Sequence, residues 1–206
     1  MSEANPDSGQ VLRNVSEALR RLVRHHIPEL QAESAVVFDS PGEIEAEDET
    51  KLSLYLYQTD INPYLRNLAP TLTRRAATRA QPAALAVTPA PLVVDLTYLI
   101  VPYARSAELE LVLIDKLIQL FHDVGELSGP WLTPLLKRTG NEQIMIVPEV
   151  DTSEQLRNIW TVFPNKTYRL TKMYTLSPVR IPSRLTPQAD MVAYAQADYR
   201  NDRDAL

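Results

Sequence analysis

The sequence predicts an α/β (α+β) domain: a single mixed, largely antiparallel sheet with about three helices. Three observations carry this. Residues 52–57 and 92–103 alternate with a period of two, as strands do. Residues 11–23, 107–124 and 152–163 repeat apolar side chains at steps of three and four, as helices do. The strand at 52–57 is followed by the strand at 92–103 with no helical pattern between them, which favours antiparallel neighbours.

Residues 1–9 read as a flexible lead, 10–185 as one domain, and 186–206 as a polar tail. From Gln10 a helix is expected, with Leu12, Val15, Leu19, Leu22 and Val23 in one stripe and Pro28 closing it. Ala35–Phe38 is a short strand, and an acidic loop follows at 39–50. In Leu52–Tyr57, Leu52, Leu54 and Leu56 share one face while Ser53, Tyr55 and Tyr57 share the other. Asp60, Asn62 and Pro63 are expected to break this strand, because Pro63 has no N–H and pushes Asn62 out of the helical region. Tyr64-Leu65-Arg66-Asn67 then makes a compact, polar corner.

Residues 68–91 hold four prolines among Ala, Thr and Arg, with no acidic residue and no glycine. They read as a mobile, mildly basic arm. Leu92–Tyr103 is apolar on both faces and is expected to be central. The helix at 107–124 shows two apolar stripes, one through Leu109, Val112, Leu113, Leu117, Leu120 and Phe121 and one through Leu111, Ile114 and Ile118. That is more apolar surface than one sheet face needs. Gly125 and Gly129 follow as stop signals, and a short helix is expected at 131–137. Gln143–Val147 is a third long strand. The last helix starts with a capping box, Thr152 and Gln155, and stops at Pro164. Tyr168–Ile181 is the final strand, in which Pro178 implies a bend or an edge position.

Composition excludes several chemistries. The chain has no cysteine, so thiolate nucleophiles, disulfides and Cys-based metal sites are out. Its formal net charge of -5 favours solubility over nucleic-acid binding. Five glycines in 206 residues leave little material for phosphate-cradling loops. The longest apolar run, near 92–101, is too short to span a bilayer and contains Asp95. No membrane contact, nucleic-acid ligand or cofactor is expected.

Catalytic constellations are equally thin. No nucleophile elbow, Walker A loop, dinucleotide fingerprint, HExxH or EF-hand spacing occurs. Adjacent His25 and His26 point about 100 degrees apart on a helix and suit its negative end better than a metal. His122 and Glu126 are separated by a helix stop. Asp95, a carboxylate inside a buried strand, requires a partner: an Arg or a backbone N–H if structural, a second titratable group if catalytic. The residues left as a candidate interface are Asn62, Tyr64, Arg66 and Asn67 in the corner, with Arg74, Arg75 and Arg79 on the arm. Arg66 offers a fork for a carboxylate, either local or on a neighbour.

YLYQTDINPYLRN at 55–67, PLVVDLTYLIVPY at 91–103 and TSEQLRNIW at 152–160, ahead of a long final strand, together resemble a known family. It is the tail-terminator or sheath-cap proteins of extracellular contractile injection systems, including the antifeeding-prophage type. The resemblance covers roughly residues 10–182. It implies a fold similar to contractile-phage tail terminators and a hexameric ring at the distal end of sheath and inner tube. That ring would end polymerisation and anchor sheath to tube, with sheath and tube proteins as partners and no catalysis. It further implies assembly in the bacterial cytoplasm as part of a phage tail-like particle. Two alternatives stay open: another adaptor or baseplate-like component of such a particle, and an enzyme using Asp95 or His122.

Overall fold

The helix expected from Gln10 runs as α1, Val11–His26, in a computed structural model that describes residues 8–44, 49–75, 84–150, 153–163 and 166–185. Val11, Val15, Ala18, Leu19, Leu22 and Val23 are buried along it, the stripe that the spacing predicts. Arg24, His25 and His26 close its last turn, where cations complement the helix dipole.

The chain divides into two units, residues 1–67 with 91–184 and residues 68–90 with 185–206. The first contains a six-stranded sheet. Its strands are β1 (Val36–Val37), β2 (Lys51–Ile61), β5 (Leu92–Tyr103), β8 (Lys172–Ile181), β7 (Gln143–Pro148) and β6 (Glu126–Ser128), in that spatial order. Only β1 and β2 are parallel; the other pairs are antiparallel. The fold class read from sequence therefore holds, and the strand at 92–103 is interior with its expected bounds.

Three further helices are α2 (Ala107–Asp123), α3 (Pro134–Arg138) and α4 (Ser153–Thr161). Ser106 caps α2, its Oγ accepting from the Leu109 N–H at 3.2 Å. One sheet face, carrying Leu54, Leu96, Tyr98, Ile100 and Leu176, forms one core with α1, α2 and α3. The other face, carrying Leu99, Val101, Tyr103 and Met173, packs against Ile159, Trp160 and Phe163 of the α4 region. Alternation along β5 thus feeds two cores from one strand. Tyr98 is fully buried, and its hydroxyl pairs with Ser16 Oγ at 2.8 Å. Burial pushes its phenol up to about 12.

Several expectations need correction. β2 ends before Pro63, as expected, but its alternation is not continuous. A bulge between Leu56 and Gln58 re-phases it, and β5 supplies backbone partners as far as Ile61↔Val94. Pro63 marks the true end, since it has no N–H to give to a ladder. The final strand begins at Lys172, not Tyr168, and lies between β5 and β7 rather than at an edge. Pro178 is tolerated there because both ladders are interrupted: β7 pairing ends at Ser177, and the β5 register shifts between Val94 and Leu96. The Gly125–Gly129 stretch, expected only to stop a helix, contains the short strand β6. A 3₁₀ turn at Gly129–Trp131 precedes α3, so the expected helix is split by Leu132 and Thr133.

The second unit holds β3 (Thr71–Arg75) and β4 (Ala84–Thr88), an antiparallel pair in register from Thr71↔Thr88 to Arg75↔Ala84. The segment 68–91 is therefore not without regular structure. The β-branched Thr71, Thr73, Val87 and Thr88 suit a ladder better than the prolines around them suggest. Arg79, Thr152, Pro164, the acidic residues at 45–48 and the tail 186–206 lie outside the described residues.

Candidate functional site: a clamped, exposed corner at the end of β2

The corner begins with Asn62, which is buried although polar. Its N–H donates to the Val93 carbonyl at 3.0 Å, closing the β2–β5 ladder. Its Oδ1 accepts from the Tyr64 and Leu65 N–H groups at 3.1 and 3.0 Å, which is the Asx-turn chemistry that bends a chain after a strand. Its Nδ2 donates to both carboxylate oxygens of Asp95, at 3.0 and 3.1 Å. Ser177 Oγ donates to the same carboxylate from β8. One side chain thus ties the turn to β5, and Asp95 extends the tie to β8.

Asp95 therefore has structural partners, as the first alternative held, but they are neither an Arg nor a backbone N–H. They are an amide and a hydroxyl, both neutral donors able to satisfy a half-buried carboxylate. Ser177 carries no signal in the sequence. Its role depends on the register shift beside it, which no period-two pattern records.

The clamp puts the next residues on display. Tyr64 is 91% exposed, a large aromatic ring offered to solvent. Arg66 and Asn67 are exposed too, and the Arg66 guanidinium makes no hydrogen bond or ion pair with the described residues. The candidate residues therefore separate. Asn62 is frame, while Tyr64, Arg66 and Asn67 are surface. Arg74 and Arg75 stand on β3, in the second unit, in register with Leu85 and Ala84.

A second exposed feature lies on α2. Leu113, Ile114, Leu117, Leu120 and Phe121 are buried, while Leu111 is 61% exposed, with Val112 and Ile118 also exposed. The surplus stripe expected from sequence is reduced by Ile114, which is core. His25 and His26 pack against a neighbouring ring, and His122 is exposed. His25 and His26 rings each lie 5.4 Å from the Trp131 ring, and His26 Nδ1 meets the Leu22 carbonyl at 2.9 Å. Glu126 sits on β6 and accepts from Gln143, not beside His122. Among the described residues no group of three His, Asp or Glu side chains could hold a metal, and no helix is long and apolar enough to cross a membrane.

A family model described as the Pvc16 N-terminal domain matches residues 14–193. Among solved structures, the chain is similar to the PVC sheath/tube terminator of an extracellular contractile injection system, in its extended state. The TM-score is 0.66 at 17% identity, over 96% of this chain and 66% of that one. It is also similar to the anti-feeding prophage cap, a tube-terminating cap, with a TM-score of 0.60 at 16% identity, over 89% of this chain and 60% of that one. The chain thus spans about two thirds or less of these structures' own length, and the likeness is one of fold. No curated protein matches the chain in sequence.

Proposed function

The chain belongs to the Pvc16 N-terminal domain family, and from that premise we propose that it is a structural cap closing the distal end of a contractile sheath and its inner tube. The observation that carries this reading is the near-complete overlay of the chain on a sheath/tube terminator, over 96% of its length. Copies of the chain associate head to tail in a closed, six-membered ring. The ring stops further polymerisation and holds sheath to tube. The particle is assembled in the bacterial cytoplasm. No reaction is assigned: Asp95 is engaged by Asn62 and Ser177, and its role is to hold the corner.

The exposed residues suit such a task. A clamped turn presenting Tyr64 and Arg66 is a rigid aromatic–guanidinium surface, the pair of residue types most favoured at contact centres. Leu111 and Ile118 add an apolar strip on a second surface, and a closed ring needs two unlike surfaces per subunit.

The test is particle assembly with and without the chain, imaged by cryo-electron microscopy. Density for the chain at the distal end, with sheath and tube of uniform length only when it is present, is the expected result. Density at the baseplate end would instead make it an adaptor of the same particle. Particles with normal ends in its absence would overturn the cap reading.

A further inference from the structure

Strand β2 is paired along its outer edge only at its start. β1 lies beside Leu52 and Ser53, and Ser53 Oγ donates to the Asp39 carbonyl at 2.8 Å where the chain turns away. From residue 54 to residue 61, β5 is the only strand alongside among the described residues. Residues 57–61 are all exposed, although their pairing with β5 continues to the end. Asn62 fixes the direction of the free backbone groups, because its N–H turns inward to the Val93 carbonyl. In an antiparallel ladder every second residue faces the same neighbour, so Asp60 faces β5 as well. Thr59 and Ile61 therefore turn their N–H and C=O groups outward, and neither has a backbone partner there among the described residues.

An open edge of this kind accepts a further strand, and its own side chains select which. Asp60 is the only charged residue from 54 to 61, and the stretch has no Lys or Pro to repel another strand. Laid antiparallel against a second copy and centred on Thr59, the edge is its own complement. Thr59 then faces the partner's Thr59, Gln58 the partner's Asp60, and Ile61 the partner's Tyr57. Thr–Thr and aromatic–β-branched pairs are favoured cross-strand neighbours. Gln58 Nε2 already donates to Asp60 of its own chain at 2.7 Å, and the amide has a second proton for the partner's Asp60. Other centres fail. Asp60 at the centre sets two carboxylates face to face, and Gln58 at the centre sets Asp60 against Leu56. Ile61 at the centre puts Thr59 against Pro63, which has no N–H to give.

We propose that β2 is a self-pairing edge: two copies of the chain join through residues 57–61, antiparallel and centred on Thr59, so that their sheets run on as one. The two Thr59 residues exchange a reciprocal pair of N–H···O=C bonds across the two-fold axis. The two Asp60 carboxylates lie diagonally, about 7–8 Å apart, each opposite an amide. The contact is isologous, so it joins two copies and stops, whereas a head-to-tail contact repeats around a ring. It uses the edge of β2 alone and does not rest on the cap reading. The shared strand is short, and the interface belongs to the small class that associates weakly and reversibly.

The chain has no cysteine, so single introduced thiols report the register. Gln58→Cys, Thr59→Cys, Asp60→Cys and Ile61→Cys are made in the full chain. Val150→Cys, at a position 91% exposed and off this strand, is the control. Each is checked for fold by circular dichroism, oxidised, and read as dimer on a non-reducing gel, with rates normalised to the thiol's reaction with Ellman's reagent. Only position 59 meets its own copy within disulfide reach, at a Cα separation of about 5.5 Å. Thr59→Cys should therefore dimerise about tenfold faster, or more, than Val150→Cys, and the other three near the control rate. Gln58→Cys mixed with Asp60→Cys should cross-link about as fast as Thr59→Cys does alone. Adding Gln58→Asp to Thr59→Cys opposes carboxylates twice and should slow its cross-linking about tenfold. A Thr59→Cys rate equal to that of Val150→Cys would overturn the pairing, as would fastest cross-linking at position 58, 60 or 61. Head-to-tail rings without the Thr59→Cys cross-link would overturn the pairing and leave the cap reading standing.

Discussion

Replacing Asn62 by alanine removes every side-chain tie of the corner at once. Two backbone N–H groups lose their acceptor and Asp95 loses its amide donor. Neutral bonds of this kind contribute about 1 kcal/mol each and a bond to a carboxylate about 2 kcal/mol. The corner is at the surface, so water replaces part of the loss for Tyr64 and Leu65. The expected destabilisation is about 3 kcal/mol. With a urea slope of about 2 kcal/mol per molar, the midpoint falls by about 1.5 M. Trp131 and Trp160 both lie in the first unit, so their fluorescence reads its unfolding directly. Asp95→Asn is the matched control. It keeps an acceptor for Asn62 and Ser177, and should cost about 1 kcal/mol. An Asn62→Ala midpoint within about 0.3 M of the parent, with slope unchanged, would refute the claim that this residue holds β2 to β5 and β8.

The displayed residues should behave in the opposite way. Tyr64→Ala and Arg66→Ala are expected to change stability by less than about 0.5 kcal/mol while lowering the ring fraction in mass photometry. Equal loss of both properties would make the turn architecture alone. Leu111→Lys on the exposed side of α2 should likewise leave the melting temperature within about 2 °C and weaken assembly, whereas Leu113→Lys in the core should unfold the domain. Glu29 titrates below its ordinary 4.5, chiefly because Lys116 donates to it. Its contribution is therefore complete above pH 4.5 and disappears as pH falls through the lowered value. Glu29→Gln should cost less than about 1 kcal/mol at neutral pH, because the pair is solvent-screened, and should flatten the acid limb of the stability–pH curve.

The parts of this fold that are legible in sequence are those written as long periodic runs. Residues 92–103 and 107–123 occupy the elements their spacing implies, because an interior strand and a packed helix leave few positions free to vary. The hidden parts depend on partners distant in the chain. β2 continues to Ile61 because β5 is there to pair with it, and the bulge at Tyr57 moves Asp60 and Ile61 to faces that a strict alternation would not assign. The hairpin of β3 and β4 is obscured by prolines that flank its strands without entering them. In the candidate site, the corner is legible from Asn62, Pro63 and the polar residues after them. Asn62 and Asp95 are each visible as residues needing an explanation, but their pairing spans 33 positions and no local pattern connects them. Ser177, 82 positions from Asp95, shows no pattern at all. Asn141 is a similar case, since it bonds both the N–H and the carbonyl of Arg180 from a loop.

The tie from Asn62 through Asp95 to Ser177 has a consequence for timing. A chain emerging from the ribosome makes β2 and β5 long before β8, yet the corner is fully braced only when Ser177 has reached the Asp95 carboxylate. Until the last strand of the sheet slots in between β5 and β7, the turn carrying Tyr64 and Arg66 lacks one of its supports. On the proposed cap reading, competence to join other subunits would then follow completion of the sheet.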